Sequence, residues 1–439
     1  MRARAALWIA AYLALVAAPL VALLAGPMPP GVAFWWDFSM ALGFAGMAVM
    51  GVQFALTARF RRASAPFGVD IIYFAHRYLA IFGLLLALSH FGILWSLYPD
   101  ALGALDPRKA SFELTLGRAA LVLFALAVIT SQWRSPLGLE YRLWRISHVL
   151  LATLGFAAAV GHILGVGYYT DTTLKRVLWL TATLFWLLLI LWTRLVKPWR
   201  SMRRPYRVAE VREERGETWT LALEPDGHRG LEGFKPGQFA WLSVRRSPFA
   251  LAEHPFTISS PPEQLPRVEF TIKALGDFTE SIGDMKPGEL AYLDGPYGVF
   301  SIDRRTEARG YAFIVGGVGI TPALSMLRSL AARGARQPLW LFYANKSWDD
   351  VIAREAIDAL SNRLPLTVVH VLEEPPEDWS GESGLISKDI LERWVPAEAR
   401  GDLHYFLCGP PPMIAAAETH LTALGVHREA MQVEVFDLV

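Results

Sequence analysis

Four histidines stand where an apolar chain can do redox chemistry. His76 and His90 share one hydrophobic segment, His148 and His162 another, each pair fourteen residues apart with a glycine midway, Gly83 and Gly155. At about 100° and about 1.5 Å per residue, fourteen helical residues make four turns less roughly 40°, a rise of about 21 Å. Both histidines of a segment therefore lie on one face, at two depths. Imidazole is costly in lipid without a polar or metal partner, and a cross-helix pair at each depth can give one iron two axial nitrogens. The doubled pattern reads as a four-histidine cage for two haems, with the midway glycines letting a porphyrin lie close to the backbone. Histidines bonded to helix carbonyls or lining a proton path are the alternative, and suit a single intramembrane histidine better than a repeated pair.

The elements that must position these histidines are membrane spans. The chain has 439 residues, room for two or three domains, and is mostly apolar to about residue 197 and ordinary in composition beyond it. Apolar stretches long enough to cross a roughly 30 Å hydrocarbon layer run near residues 5–25, 33–57, 71–98, 113–131, 143–166 and 174–195. Arg2, Arg4, Arg59, Arg61, Arg62, Arg134, Arg142, Arg145, Lys197, Arg200, Arg203 and Arg204 fall on one side, the cytosolic side by the positive-inside rule. The first span resembles a signal peptide, with MRAR ahead of an apolar run, but its length and the even span number favour retention, with both chain ends cytosolic in the cell membrane. Spans three and five are then parallel. His76 and His148 form a rung near the cytosol, His90 and His162 one near the outer face. Haem propionates need cations: Arg77, Arg142 and Arg145 are candidates at the inner rung and Arg118 at the outer one. Phe82 and Phe156 flank the central glycines and could sit between the haems.

A formal net charge of +1 and the lack of a long basic tract give no sign of a nucleic-acid partner. Cys408 is the sole cysteine, which excludes an internal disulfide, a cysteine-ligated iron–sulfur cluster and a multi-thiolate zinc site. Any redox metal must rest on histidine.

From Tyr206 to about Asp303 short alternating strands predict a small antiparallel barrel, and from Gly310 a strand–glycine turn–helix pattern predicts an α/β nucleotide fold. The strand YAFIV runs into GGVGITP and a helix, so Gly316, Gly317 and Gly319 allow close backbone approach, Thr321 is expected to cap the helix, and Pro322 fills its first turn. Such a helix start holds phosphate, although the spacing is not that of the dinucleotide fingerprint. A second strand, LHYFL, opens into CGPPPM at the carboxyl edge expected to bind ligand. In the barrel, HPFT and IKALGDFT offer Phe256 to cover a flat ring, Thr257 to donate to a ring nitrogen, His254 and Lys273 to meet phosphate or the ring's polar edge, and Thr279 at a helix start. Lys346 follows Asn345 where nucleotide folds often read the adenosine ribose; a lysine there could meet a 2′-phosphate, which points to NADPH, with NADH as the alternative.

Taken together, the histidine-bearing spans followed by HPFT, IKALGDFT, GPYG, GGVGITP and CGPPPM resemble the ferric reductase and NADPH oxidase superfamily over nearly the entire chain. The resemblance implies a six-helix di-haem membrane domain (1–199), an FAD-binding β-barrel (200–307) and an NAD(P)H-binding α/β domain (308–439). It implies FAD on His254, Pro255, Phe256, Thr257, Lys273 and Thr279, and NAD(P)H on Gly317, Gly319, Thr321, Cys408, Gly409 and Pro410, with Gly316 and Lys346 beside them. Cys408 and Thr257 are the catalytic candidates, with Phe436 as the aromatic that shields the flavin until nicotinamide displaces it, or else a core-facing strand residue. Electrons would pass from cytosolic NAD(P)H through FAD and two b-type haems to an extracytoplasmic small molecule, O2 or ferric iron, with O2 favoured. A ferric-chelate reductase, or a haem subunit serving a partner protein, is the alternative. Besides the bilayer, no obligatory protein partner is evident.

Overall fold

A computed structural model describes every residue except 1, 25–28, 61–66, 251 and 437–439, so Arg61 and Arg62 lie outside the described residues. Two compact units meet at Pro198 and Trp199.

In the first unit the apolar runs form six helices long enough to cross a membrane: α1 (Arg2–Leu23), α2 (Phe34–Thr57), α3 (Val69–Leu97), α4 (Phe112–Gln132), α5 (Tyr141–Val166) and α6 (Thr173–Leu191). Lipid offers no hydrophobic drive between helices, so small residues set the contacts. A Cβ on Gly46 of α2 would stand 3.1 Å from the Gly83 carbonyl of α3, and one on Gly161 of α5 would stand 2.7 Å from Leu116 of α4. Gly83 and Gly155 serve the same end: their missing Cβ atoms make room for Val49 and Met50, and for the Phe124 ring. They face neighbouring helices, where the sequence led us to expect a porphyrin. A π-helical turn, Trp192–Val196, follows α6.

In the second unit β1 (Tyr206–Glu214), β2 (Thr218–Pro225), β3 (Phe239–Val244), β4 (His254–Thr257), β5 (Val268–Lys273) and β6 (Leu290–Tyr297) make an antiparallel sheet of order β4-β3-β6-β1-β2-β5. Its edges curl together through an Ile258–Phe270 bridge around a core that includes Leu221, Leu223, Leu242 and Phe270. The second sheet is parallel: β7 (Gly310–Gly316), β8 (Leu339–Asn345), β9 (Leu366–Leu372), β10 (Glu382–Ser383), β11 (Leu403–Cys408) and β12 (Met431–Glu434), in the order β10-β9-β8-β7-β11-β12. Its strands are near-continuous apolar runs because both faces are covered. The chain steps from β7 outward to β10 and returns to β11 on the other side of β7. That reversal creates the crevice where open α/β sheets take ligands.

Candidate redox sites

Two cavities lie in the membrane unit. One is lined by His90, His162 and Arg118, the other by His76 and His148. The helices thus pair the histidines by depth. The inner pair has ring centroids 6.2 Å apart at 76°. Taking about 2.0–2.1 Å for an imidazole–metal bond, as zinc shows, and about 1.1 Å from nitrogen to ring centre, one metal between two rings needs about 6.3 Å. The separation fits a shared iron.

The outward nitrogens are spoken for in three of the four rings. His90 Nδ1 lies 2.9 Å from the Ser39 carbonyl and 3.0 Å from its hydroxyl, His162 Nδ1 lies 2.9 Å from the Glu113 carbonyl, and His148 Nδ1 lies 3.0 Å from the Ser131 hydroxyl. A carbonyl accepts only from N–H, so at His90 and His162 the proton sits on Nδ1 and the Nε2 lone pair is free for a metal, the arrangement metal-ligating histidines adopt. His76 Nδ1 is buried without a partner. The rings also have cradles: a Cβ on Gly43 would stand 3.1 Å from the His90 ring, and one on Gly117 would stand 2.8 Å from that of His162. These two glycines escaped the sequence reading, because their partners lie far along the chain. Among the described residues no cluster of three or more His, Cys, Asp or Glu exists.

The arginines are placed less simply than the sequence suggested. Arg118 lines the outer cavity, yet its guanidinium donates to the Leu102 and Leu105 carbonyls at 2.5 and 3.2 Å, closing the loop before α4. Arg77 is exposed and donates to Gln132 Oε1 at 2.5 and 2.9 Å, and neither it, Arg142 nor Arg145 lines the inner cavity. The cation that does is Arg194, on the π-helical turn. Phe82 does not stand between the cavities, since it is 51% exposed on the outside of its helix. Phe156 is buried against Phe54. The side chains that line both cavities are Phe124 and Met50.

In the soluble unit His254, Pro255, Phe256 and Thr257 form β4, with Phe239 opposite Thr257. The His254 and Phe278 rings lie 4.1 Å apart, and Phe256 stacks on Phe278 at 5.9 Å and 13°. Lys273 ends β5. Thr279 lies within the turn Asp277–Glu280, where its hydroxyl accepts from Leu275 N at 2.8 Å and donates to the Gly276 carbonyl at 2.9 Å. A half-buried aromatic wall beside hydroxyl and ammonium groups fits a flavin.

At the topological reversal the two glycine turns touch. A Cβ on Gly319 would meet the Cys408 carbonyl at 2.4 Å, and one on Gly409 would meet Gly316 N at 3.0 Å. Only glycines let β7 and β11 end this close. Gly317, at φ 52°, has open space where its Cβ would be, a cradle that a phosphate or nicotinamide could enter. The helix α7 (Ile320–Ala332) begins a residue before Thr321, which therefore does not cap it; its hydroxyl donates back to the Val318 carbonyl at 3.1 Å. Pro410 precedes α8 (Pro411–Ala423). Burial, then the Glu434 carboxylate, pushes the Cys408 thiol well above its ordinary pKa. Cys408 is thus a neutral wall, not a thiolate nucleophile. Lys346 is no free charge, because Glu374 Oε1 lies 3.5 Å from its Nζ. Phe436 is 46% exposed, two residues beyond β12, whose Glu434 pairs with Cys408. α7 is clamped to the barrel: Ser325 Oγ donates to the Ser260 carbonyl at 2.8 Å, and Arg328 to that of Ser259 at 3.1 Å.

Residues 42–160 match the family described as ferric reductase like transmembrane component, 223–301 an FAD-binding domain, and 313–419 an oxidoreductase NAD-binding domain. Fold and matches together define a membrane-embedded, FAD- and NAD(P)H-binding oxidoreductase. More particularly, the chain has the ferric reductase/NADPH oxidase-type architecture. The reductase half is similar to NADH-cytochrome b5 reductase 1 of Pyricularia oryzae, 33% identical over 176 residues, covering 39% of this chain and 56% of that protein. NADH--cytochrome b5 reductase 1 of Arabidopsis thaliana is 31% identical over 180 residues, 40% of this chain and 63% of that one. The chain thus spans about three fifths of the curated relatives it matches. Among solved structures, the ferredoxin reductase in carbazole 1,9a-dioxygenase is 25% identical with a TM-score of 0.47, covering 53% of this chain and 69% of that one.

Proposed function

We propose that this protein draws electrons from cytosolic NAD(P)H and delivers them across the cell membrane to an extracytoplasmic acceptor, with O2 favoured. The observation that carries the reading is the inner histidine pair, spaced for one iron, with Nδ1 atoms elsewhere in the ladder engaged by neighbouring helices. His76 with His148 and His90 with His162 would hold two b-type haems. Phe256, Thr257, Lys273 and Thr279 would hold FAD, and the paired glycine turns NAD(P)H. When bound, flavin converts a hydride into single electrons and bis-imidazole iron carries one at a time. The chain's own residues orient these groups: α7 and its clamp fix the nucleotide edge against the barrel, and neutral Cys408 closes the crevice without competing as a nucleophile. The Lys346–Glu374 pair argues for NADH over NADPH, since the lysine's charge is already faced by a carboxylate.

Two histidines on each iron would leave the acceptor no place on the metal, so it would be met by the chain's own residues around the outer cavity. The outer cavity is lined by apolar and aromatic side chains with Arg118 as its charged member, a setting that suits a small neutral acceptor. Ferric-chelate reduction is the second reading, favoured by the family match over residues 42–160. Reconstituted vesicles given NADH inside decide between them. Superoxide-dismutase-sensitive signal outside is expected; ferric-chelate reduction without superoxide selects the second reading, and neither signal sinks both.

A further inference from the structure

The inner cavity has a polar side that the two histidines do not explain. Gln53 of α2 lines it at 7% exposure with neither its Oε1 nor its Nε2 paired. A buried carboxamide left so is costly, because it has given up water without gaining a partner. Beside it stand Thr57 of α2 and Thr193 and Arg194 of the π-helical turn. Both threonines spend their protons on their own helices, at the Gln53 and Leu189 carbonyls, 3.0 and 2.9 Å away. Gln53 is therefore the group here with unspent donors, and Arg194 is the cation on the same cavity wall. The π-turn adds a residue to the helix at this point, a distortion found mostly at functional sites, and it puts Thr193 and Arg194 together on the cavity wall. Arg194 lies late in an apolar span, where a cation that faces the bundle interior marks a partner.

We infer that Arg194 and Gln53 form a carboxylate-binding site for the propionate edge of the group held by His76 and His148. The inference rests on the haem reading of that pair. A guanidinium binds a carboxylate through parallel N–H donors, and the carboxamide N–H supplies a further one from the facing helix. Arg194 and Gln53 are positioning residues, which set where the macrocycle sits and how readily its iron accepts an electron.

The test is potentiometric titration of the purified full-length protein, followed by haem absorbance, with haem content measured in parallel. Arg194→Gln removes a positive charge beside one iron and should lower that iron's reduction equilibrium tenfold or more, about 59 mV for one electron. The component that shifts should be the one lost in His76→Leu. Arg194→Lys should restore most of the shift, and Gln53→Leu should produce a smaller one in the same component. If both haems are present and neither moves in Arg194→Gln or Gln53→Leu, or if the component kept in His76→Leu is the one that moves, the inference is overturned while the haem reading stands. A wild-type protein without haem overturns both.

Discussion

Replacing Gly117 with alanine should dislodge one haem and spare the other. The added Cβ would lie 2.8, 2.9 and 3.0 Å from Nδ1, Cγ and Cε1 of His162. Non-bonded heavy atoms prefer about 3.5–4.0 Å, so the ring must move by about 0.5–1 Å. Metal sites tolerate distance errors of only about 0.2 Å. The same movement strains the 2.9 Å bond from Nδ1 to the Glu113 carbonyl, and losing such a support typically costs about 10–100-fold in metal affinity. Gly43→Ala is milder by the same measure, with contacts of 3.1 to 3.3 Å to His90, and Gly92→Ala, with nothing within 4 Å, is the control. Haem per chain, measured as the pyridine haemochrome against FAD, with low-temperature spectra, should fall toward one in Gly117→Ala, fall less in Gly43→Ala and hold in Gly92→Ala. Two unchanged low-spin haems in Gly117→Ala would refute the placement of His162 as a ligand.

In the nucleotide crevice, Glu374→Gln should release Lys346 and raise kcat/KM for NADPH relative to NADH by about 1.4- to 5-fold, the range for an exposed ion pair, and an unmoved ratio would clear Lys346 of any role in selectivity. His404 is 5% exposed, and burial, then Arg305, pulls its pKa down to about 4. Its folded form resists a proton that the unfolded chain accepts, so stability is full above about pH 6.5 and is lost as pH falls toward 4, by about 3 kcal/mol in all. Denaturation of the wild-type chain at pH 7.5 and 5 should show this loss, and His404→Phe should flatten it; equal slopes would contradict the burial argument.

The six spans and both sheets were legible because each rests on a long regularity: apolar runs of membrane length, alternating strands, and apolar strands punctuated by glycine turns. The histidine pattern was legible because imidazole has few reasons to be in lipid. What sequence hid was lateral. Nothing local marks Gly43 and Gly117 as floors under histidine rings, since those contacts cross 47 and 45 residues. Arg194 was hidden by its neighbours, one more cation in WTRLVKPWR, and only the π-turn and the cavity distinguish it. Thr321 looked like a cap because a short 3-10 turn, Gly317–Gly319, runs straight into α7 and moves the helix start ahead of it.

The most direct measurement adds NADH anaerobically to the full-length protein purified in detergent with FAD and follows the haem bands. The four-histidine ladder predicts about two haems per chain, both reduced through the flavin and both low-spin, with one missing in His76→Leu and the other in His162→Leu. A colourless protein, or haems that stay oxidised while the flavin bleaches, would contradict it.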